Sequence, residues 1–372
     1  MSEWQNVALK QLVKFGNGKS RPKEKGKIPV YGGNGILDFT DKHNYVGNTL
    51  IIGRVGAYCG ATYLEKSPVW VSDNALSAKA LGNNDSDYLY YLFKYLDLNH
   101  YAQGSSHPLL TQTLLNAIEV ETTLDGIEQK AIASVLSSLD DKINLLHRQN
   151  KTLESIAETL FRQWFVEEAQ DDWEEKTLAD FGKVVCGKTP SKKKSEYYGN
   201  DIPFLKIPDM HGRVFISSTE DNLSLLGAES QLNKLLPEGS LCVSCIATVG
   251  LVCITSKPMQ TNQQINSIIP KSSKYLYFLF LLMKSINDEL HSLASGGTTT
   301  LNLNTGNFSK IKICVPPKED IFSFNQSVYD FFEKIKSNTN QIQTLEKLRD
   351  TLLPKLMSGE VRVNYTPEEI KQ

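Results

Sequence analysis

Apolar residues recur at alternating intervals of four and three between Ile127 and Phe165. One row runs Ile132, Leu139, Leu146, Leu153, Leu160; its companion runs Leu136, Ile143, Asn150, Ala157, Trp164. Paired rows of this kind are the seam of a helix that packs on another helix. No glycine or proline interrupts them, and at ~1.5 Å per residue the rod would be roughly 60 Å long. An isolated helix is marginal in water, so the stripe needs a partner. A shift of 192 positions supplies one: Ile143 falls on Ile335, Gln149 on Gln341 and Leu160 on Leu352. This second stretch, Phe324 to Met357, carries Phe324, Phe331, Asn338, Leu345, Leu352 and Val328, Ile335, Ile342, Arg349, Leu356 in the same frame. Two long helices packed on each other are predicted. Asp125 with Glu128, and Ser323 with Gln326, have capping-box spacing at the two starts. Gly359 stands where a left-handed cap would end the second helix, and Pro354 predicts a kink or an early end.

The duplication reaches beyond the helices, which makes it the main organising feature. Trp4, Leu9, Gly18 and Lys19 recur as Trp173, Leu178, Gly187 and Lys188, and Ile28-Pro29 as Ile202-Pro203. Tyr88 to Phe93 recurs as Tyr275 to Phe280, Gly104 to Leu109 as Gly296 to Leu301, and Ile118 to Val120 as Ile311 to Ile313. The second copy is longer, mainly between Pro203 and Gly239. Thr49 to Ile52, Val69 to Val71, Leu241 to Ile246 and Ile265 to Ile269 are short β-rich runs, while Tyr88 to Leu96 and Tyr275 to Ser285 have helical length and composition. An α+β chain follows, in which each unit is a small, curved, mostly antiparallel sheet with a few helices. The expected order is globular domain 1–123, long helix 124–168, globular domain 169–318, and long helix with tail 319–372. The helices are alike and the globular parts have diverged, so the helices share one job and the domains perform different versions of another.

Composition narrows the class without naming a function. A net charge of -2 and a pI near 6.3 do not announce a nucleic-acid binder, so any such role must rest on local charge. The opening Met1 to Asn6 lacks the regions of a secretory leader, and the longest apolar run, Tyr275 to Met283, falls far short of the ~20 residues a bilayer needs. Six scattered cysteines in apolar surroundings suit a reducing, cytoplasmic compartment.

Gly182-Lys-Val-Val-Cys-Gly187-Lys188-Thr189 matches a phosphate-binding loop letter for letter. Such a loop needs a helix after it, and here Pro190 and a lysine run follow. The first copy, Val13 to Ser20, lacks the first obligatory glycine. A strand and turn ending in Gly-Lys-Ser/Thr explains both copies; a nucleotide-binding enzyme explains one. Both copies keep a lysine, a hydroxyl and further base after the turn: Lys19, Ser20, Arg21, Lys23, Lys25 and Lys27, then Lys188, Thr189, Ser191, Lys192, Lys193 and Lys194. Such groups suit phosphate oxygens, although a solvated charged loop has the same composition. Small and hydroxyl residues recur again at Ser105, Ser106 and His107 and at Thr298 and Thr299, which suit close approach to DNA or simply a polar turn. Tyr31, Asn34, Arg54 and Arg213 are further candidates for base or backbone contacts; singly, such residues are usually surface or packing groups. Cys242 and Cys245, three apart in a strand, point to opposite faces and do not form a metal pair. No set for nucleophilic catalysis is evident; the readings are a DNA reader, with a coiled-coil adaptor without DNA contact and a nucleotide-binding enzyme using Gly182 to Thr189 as alternatives.

Three stretches carry a family resemblance: Leu160-Phe-Arg-Gln-Trp-Phe-Val166, Leu348 to Val361, and Asp125 to Ala133. With the two-copy layout they resemble the specificity subunit of type I restriction-modification systems over essentially the whole chain. The resemblance implies two target-recognition domains, each binding one half of a split double-stranded DNA site. It implies an antiparallel helix pair that acts as a spacer, and partner methyltransferase subunits (two of them) and restriction subunits. Adenine methylation and DNA cleavage would belong to those partners, which would bind S-adenosylmethionine, ATP and Mg; this chain would bind no cofactor. A rod of roughly 50 to 60 Å would separate contacts by about one and a half DNA turns of ~34 Å.

Overall fold

The computed structural model describes residues 3–104, 107–295 and 301–364. They fall into two compact units, one made of Met1–Asn144 with Thr344–Gln372 and the other of Leu145–Gln343. Both long helices are continuous: the central helix spans Gly126–Arg162 and the C-terminal helix Lys318–Met357. Each contributes a part of its length to each unit, and the two pack antiparallel.

Of the seam residues, Ile132, Leu136, Ile143, Leu146, Ala157, Phe324, Val328, Ile335, Ile342 and Leu356 are buried. Leu139, Leu153, Leu160, Phe331, Leu345 and Leu352 are half-buried, because two helices cover a seam but not its flanks. Polar seam positions are paired. The Asn338 amide donates to Asn150 Oδ1 at 2.8 Å, and Arg349 reaches Asp140 at 2.8 Å, whose other oxygen accepts from the Tyr91 hydroxyl at 2.7 Å. At the end of the central helix, Phe161, Trp164 and Phe165 close around Phe324, with ring centroids 5.8, 5.7 and 4.9 Å from it.

The helix ends differ in part from expectation. Asp125 caps the central helix by accepting from the Ile127 N–H at 2.9 Å, and after Arg162 the chain continues as a π-turn, Gln163–Glu167. The C-terminal helix starts at Lys318, directly after Pro316-Pro317, not near Ser323; Pro317 O accepts from Asp320 and Ile321. Ser323 is inside the helix and caps nothing, because buried Ile321 extends the apolar face upstream. The helix also runs past Pro354 to Met357, since that residue forfeits only its own N–H bond. Gly359 ends it with φ 74°, as expected.

Each unit holds three small sheets rather than one, and the second unit repeats the first. In the first, β1 (Trp4–Ala8) pairs with β9 (Glu119–Thr123). Its main sheet has the order β2 (Val13–Asn17), β8 (Ala75–Ala80), β5 (Thr49–Gly53), β6 (Thr62–Glu65). The third sheet is β4 (Gly35–Thr40), β3 (Ile28–Gly32), β7 (Trp70–Val71), with β3 and β7 parallel. In the second unit β10 (Glu174–Thr177) pairs with β19 (Lys312–Val315). Its main sheet runs β11 (Gly182–Cys186), β18 (Ile265–Pro270), β15 (Leu241–Ile246), β16 (Thr248–Thr255), with β13 (Phe215–Ile216) added parallel to β16. The third is β14 (Asn222–Leu223), β12 (Tyr198–Leu205), β17 (Gln260–Thr261). The extra length of the second copy thus makes β13 and the turns around it.

Several layers form because the central strands are buried on both faces. Leu50 and Ile52 enter the core that holds Tyr88, Leu92, Ile132 and Leu356, while Ile51 faces Tyr31, Val69 and Val71. In β15, Leu241, Val243 and Cys245 join the core with Phe278 and Phe324, and Cys242 packs on the other side with Leu205 and Met259. Cys242 and Cys245 therefore lie in separate cores, as their spacing predicts. Among the described residues no group of His, Cys, Asp and Glu could hold a metal ion.

Candidate nucleic-acid interface

At the end of each main sheet, four segments meet through the same backbone hydrogen bonds. In the first unit, Gly18 N–H donates to Ala75 O and Lys19 N–H to Val71 O; Arg54 N–H donates to Asn74 O, and Arg54 O accepts from Leu110 N–H. In the second, Gly187 donates to Ile265, Lys188 to Thr261, Cys245 to Gln264, and Leu303 to Cys245. Gly56 donates to Pro108 as Ala247 donates to Leu301. The bonds shift one repeat match by a residue: Leu301 corresponds to Pro108 and not to Leu109.

The repeated Gly-Lys arises from this frame. A Cβ at Gly18 would lie 1.7 Å from Ser72 O, and one at Gly187 would lie 2.0 Å from Asn262 O. Only glycine lets the strand end pass so close. No helix follows Lys188; the next element is a single turn at Ser195–Tyr197, so the phosphate-loop spelling does not make a phosphate loop. Gly56 and Ala247 hold the same left-handed conformation, φ 74° and 65°. A Cβ at Gly56 meets nothing within 4 Å, so only backbone strain opposes one. Gly56→Ala is expected to cost about 1 kcal/mol and Ala247→Gly to be neutral or slightly stabilising. Urea unfolding checks both; a loss above about 3 kcal/mol for Gly56→Ala would mean that packing, not conformation, sets that position.

The frame sorts the candidate residues. Lys19, Ser20, Lys23 and Lys27 are exposed on the first loop, and Asn34 is exposed at the β3–β4 turn, whose Gly33 approaches Asn74 and Gly53. Arg21 and Lys25 instead pair with Asp38. The Lys25 ammonium, the Phe39 N–H and the Arg21 guanidinium hold the Asp38 carboxyl well below the usual carboxylate range. Arg54 is half-buried at the centre of the cluster, and His107 is exposed beside it. In the second unit, Lys188, Ser191, Lys192, Lys193 and Lys194 are exposed, Thr189 donates to Gln263 Oε1 at 2.6 Å, and Lys194 contacts the Tyr197 hydroxyl at 3.0 Å. Ser105, Ser106, Thr298 and Thr299 lie outside the described residues.

Two candidates leave the cluster. Tyr31 is buried in a cleft with Tyr63 and Tyr90, its hydroxyl donating to Glu65 at 3.3 Å; burial, with the Glu65 charge, pushes its pKa up to about 12. Arg213 donates to Ser218 O and borders a different cleft, with Leu251 and Lys284. The structure adds residues that the sequence did not single out: Asn74, Ala247, Gln263 and Asn302. Their signal was their position in or beside a repeated hydrogen bond, which no spacing rule reports.

The frame keeps its backbone twice while its side chains change, and it belongs to a chain of the DNA-specificity class, as the family match shows. Residues 1–155 and 170–350 match the family model of the type I restriction modification DNA specificity domain, and the chain belongs to that family. It is a non-catalytic DNA specificity subunit of a type I restriction-modification system, in which catalysis lies in the methyltransferase and restriction subunits. It is 39% identical over 334 residues to the type I restriction enzyme HindI specificity subunit of Haemophilus influenzae, across 70% of this chain and 72% of that one. The MjaIX specificity subunit of Methanocaldococcus jannaschii is 29% identical over 344 residues, 85% of this chain and 78% of its own. Among solved structures, the S subunit from M. genitalium shares the fold with a TM-score of 0.64 at 18% identity, covering 98% of this chain and 97% of that one.

Proposed function

We propose that this subunit reads a two-part, asymmetric site on double-stranded DNA, one half through each loop cluster. The recognition domains are residues 1–123 and 169–318, and the two long helices serve as the spacer. The observation that carries this reading is the repeated frame with unlike side chains: Arg54 in one copy stands where Cys245 stands in the other. Unlike readers call for unlike half-sites. Lys19, Lys23, Lys27 and the Lys188 to Lys194 loop supply phosphate contacts in a chain whose overall charge is near neutral.

Two methyltransferase subunits seat on equivalent stretches of the helices, and restriction subunits join that assembly. Ile156 is 41% exposed and Leu348, its repeat equivalent, 45% exposed. Exposed Thr152 and Thr159 flank the first as exposed Thr344 and Thr351 flank the second. S-adenosylmethionine, ATP and Mg belong to those partners. The complex works in the cytoplasm; no helix among the described residues is long and apolar enough to cross a membrane. Co-expression with the methyltransferase partner and mapping of methylated adenines tests the reading. A split, non-palindromic motif with a fixed gap is expected, and replacing residues 1–123 by those of a relative should change one half only. A continuous or palindromic motif overturns it.

A further inference from the structure

Three arginines among the described residues are half-buried: Arg54, Arg349 and Arg362. Arg349 has Asp140 at 2.8 Å and Arg362 has Glu128 at 2.6 Å. Arg54 has no carboxylate and no side-chain hydrogen bond among the described residues, and its Nε is shut off from solvent without an acceptor. The two Nη nitrogens are neither hydrogen-bonded among the described residues nor shut off from solvent, so the cationic fork stands open to an acceptor from outside the chain.

We infer that Arg54 is the specificity-determining residue of the first recognition domain and that it reads a guanine edge. The inference rests on the DNA-reading assignment above and adds the residue and the base. Placement decides between base and phosphate. Arg54 sits where the segments converge, its backbone held on both sides by Asn74 O at 3.0 Å and Leu110 N–H at 2.9 Å. The exposed Lys19, Lys23 and Lys27 stand on the surrounding loop, where long single-charge side chains can follow a phosphate backbone. A fixed planar fork suits the paired O6 and N7 acceptors of guanine in the major groove. Cys245 occupies the corresponding place in the second unit and cannot make that contact, which gives the two half-sites different base content.

The test uses the full chain assembled with its methyltransferase partners, acting on unmodified genomic DNA, with methylated adenines mapped. Wild type is expected to show a guanine in one half-site. With Arg54→Ala that one position becomes degenerate, its preference for guanine falling about tenfold to a hundredfold, while the other half-site and the gap stay unchanged. Arg54→Lys keeps the charge and loses the fork, so it is expected to show the same degeneracy; it also serves where the alanine variant misfolds, with thermal melting as the check. A uniform loss of methylation at an unaltered motif, with a shallower salt dependence, would make Arg54 a phosphate contact and overturn the inference. So would an unaltered motif at unaltered rate, or a wild-type motif without guanine. Absence of any split motif in wild type would instead remove the reading on which the inference rests.

Discussion

Phe324→Ala is expected to destabilise the second unit by about 3–5 kcal/mol. Phe324 is fully buried and is the one ring touched by Phe161, Trp164 and Phe165 together, the last at 4.9 Å and 74°. Phe278 closes the far side of the same cluster, 5.1 Å from Phe165. Truncation therefore leaves a cavity among rings that cannot collapse without losing edge-to-face contacts worth ~0.5–1.5 kcal/mol each. Two elements are held at this one place: the end of the central helix and the start of the C-terminal helix. The unit's melting transition should fall by on the order of 10 °C, measured by calorimetry on the full chain. Ile156→Ala, at an exposed place on the central helix, is expected to change stability by less than about 0.5 kcal/mol. Equal effects of the two substitutions would mean that the aromatic cluster is not what joins the helices in this unit.

The second large effect is expected at Gly187. An added methyl would meet Asn262 O at 2.0 Å and Thr261 Oγ1 at 2.2 Å. Backbone cannot yield by that much in place, so β11 must part from the Thr261 to Ile265 segment. That parting would break the bonds from Gly187 to Ile265 and from Lys188 to Thr261. The cost is about 2–4 kcal/mol, and the second loop cluster would lose its shape. Gly187→Ala is expected to abolish methylation through loss of one half-site. Lys188→Ala is expected to weaken binding evenly across sequences and to reduce the salt slope by about one. A nucleotide loop would give the opposite ranking, with lysine loss the graver. Filter binding across a salt series, alongside methylation, separates the two; a Lys188→Ala variant as inactive as Gly187→Ala would return attention to the phosphate-loop spelling.

Periodicity alone determined the two long helices, because an unbroken seam repeating every seven residues has one compact solution. The 192-residue shift determined the duplication, and with it the expectation of two readers on one scaffold. Ends were less legible. Ser323 has the right spacing for a cap, yet the helix begins at Lys318, since burial of Ile321 outweighs a local hydrogen bond. The candidate site was legible as composition and not as place. Lysines and hydroxyls after Gly18 and Gly187 marked the loops, but only the folded chain spends Arg21 and Lys25 on Asp38, buries Tyr31 and sets Arg213 apart. Arg54 stood in the sequence as one candidate among many. Its lack of a carboxylate partner among the described residues depends on segments gathered from between Gly18 and Leu110, and that is information a local pattern does not contain. What tertiary structure decided was which charges are already paired within the protein and which have no partner among the described residues, because those pairings exist only once the strands have met.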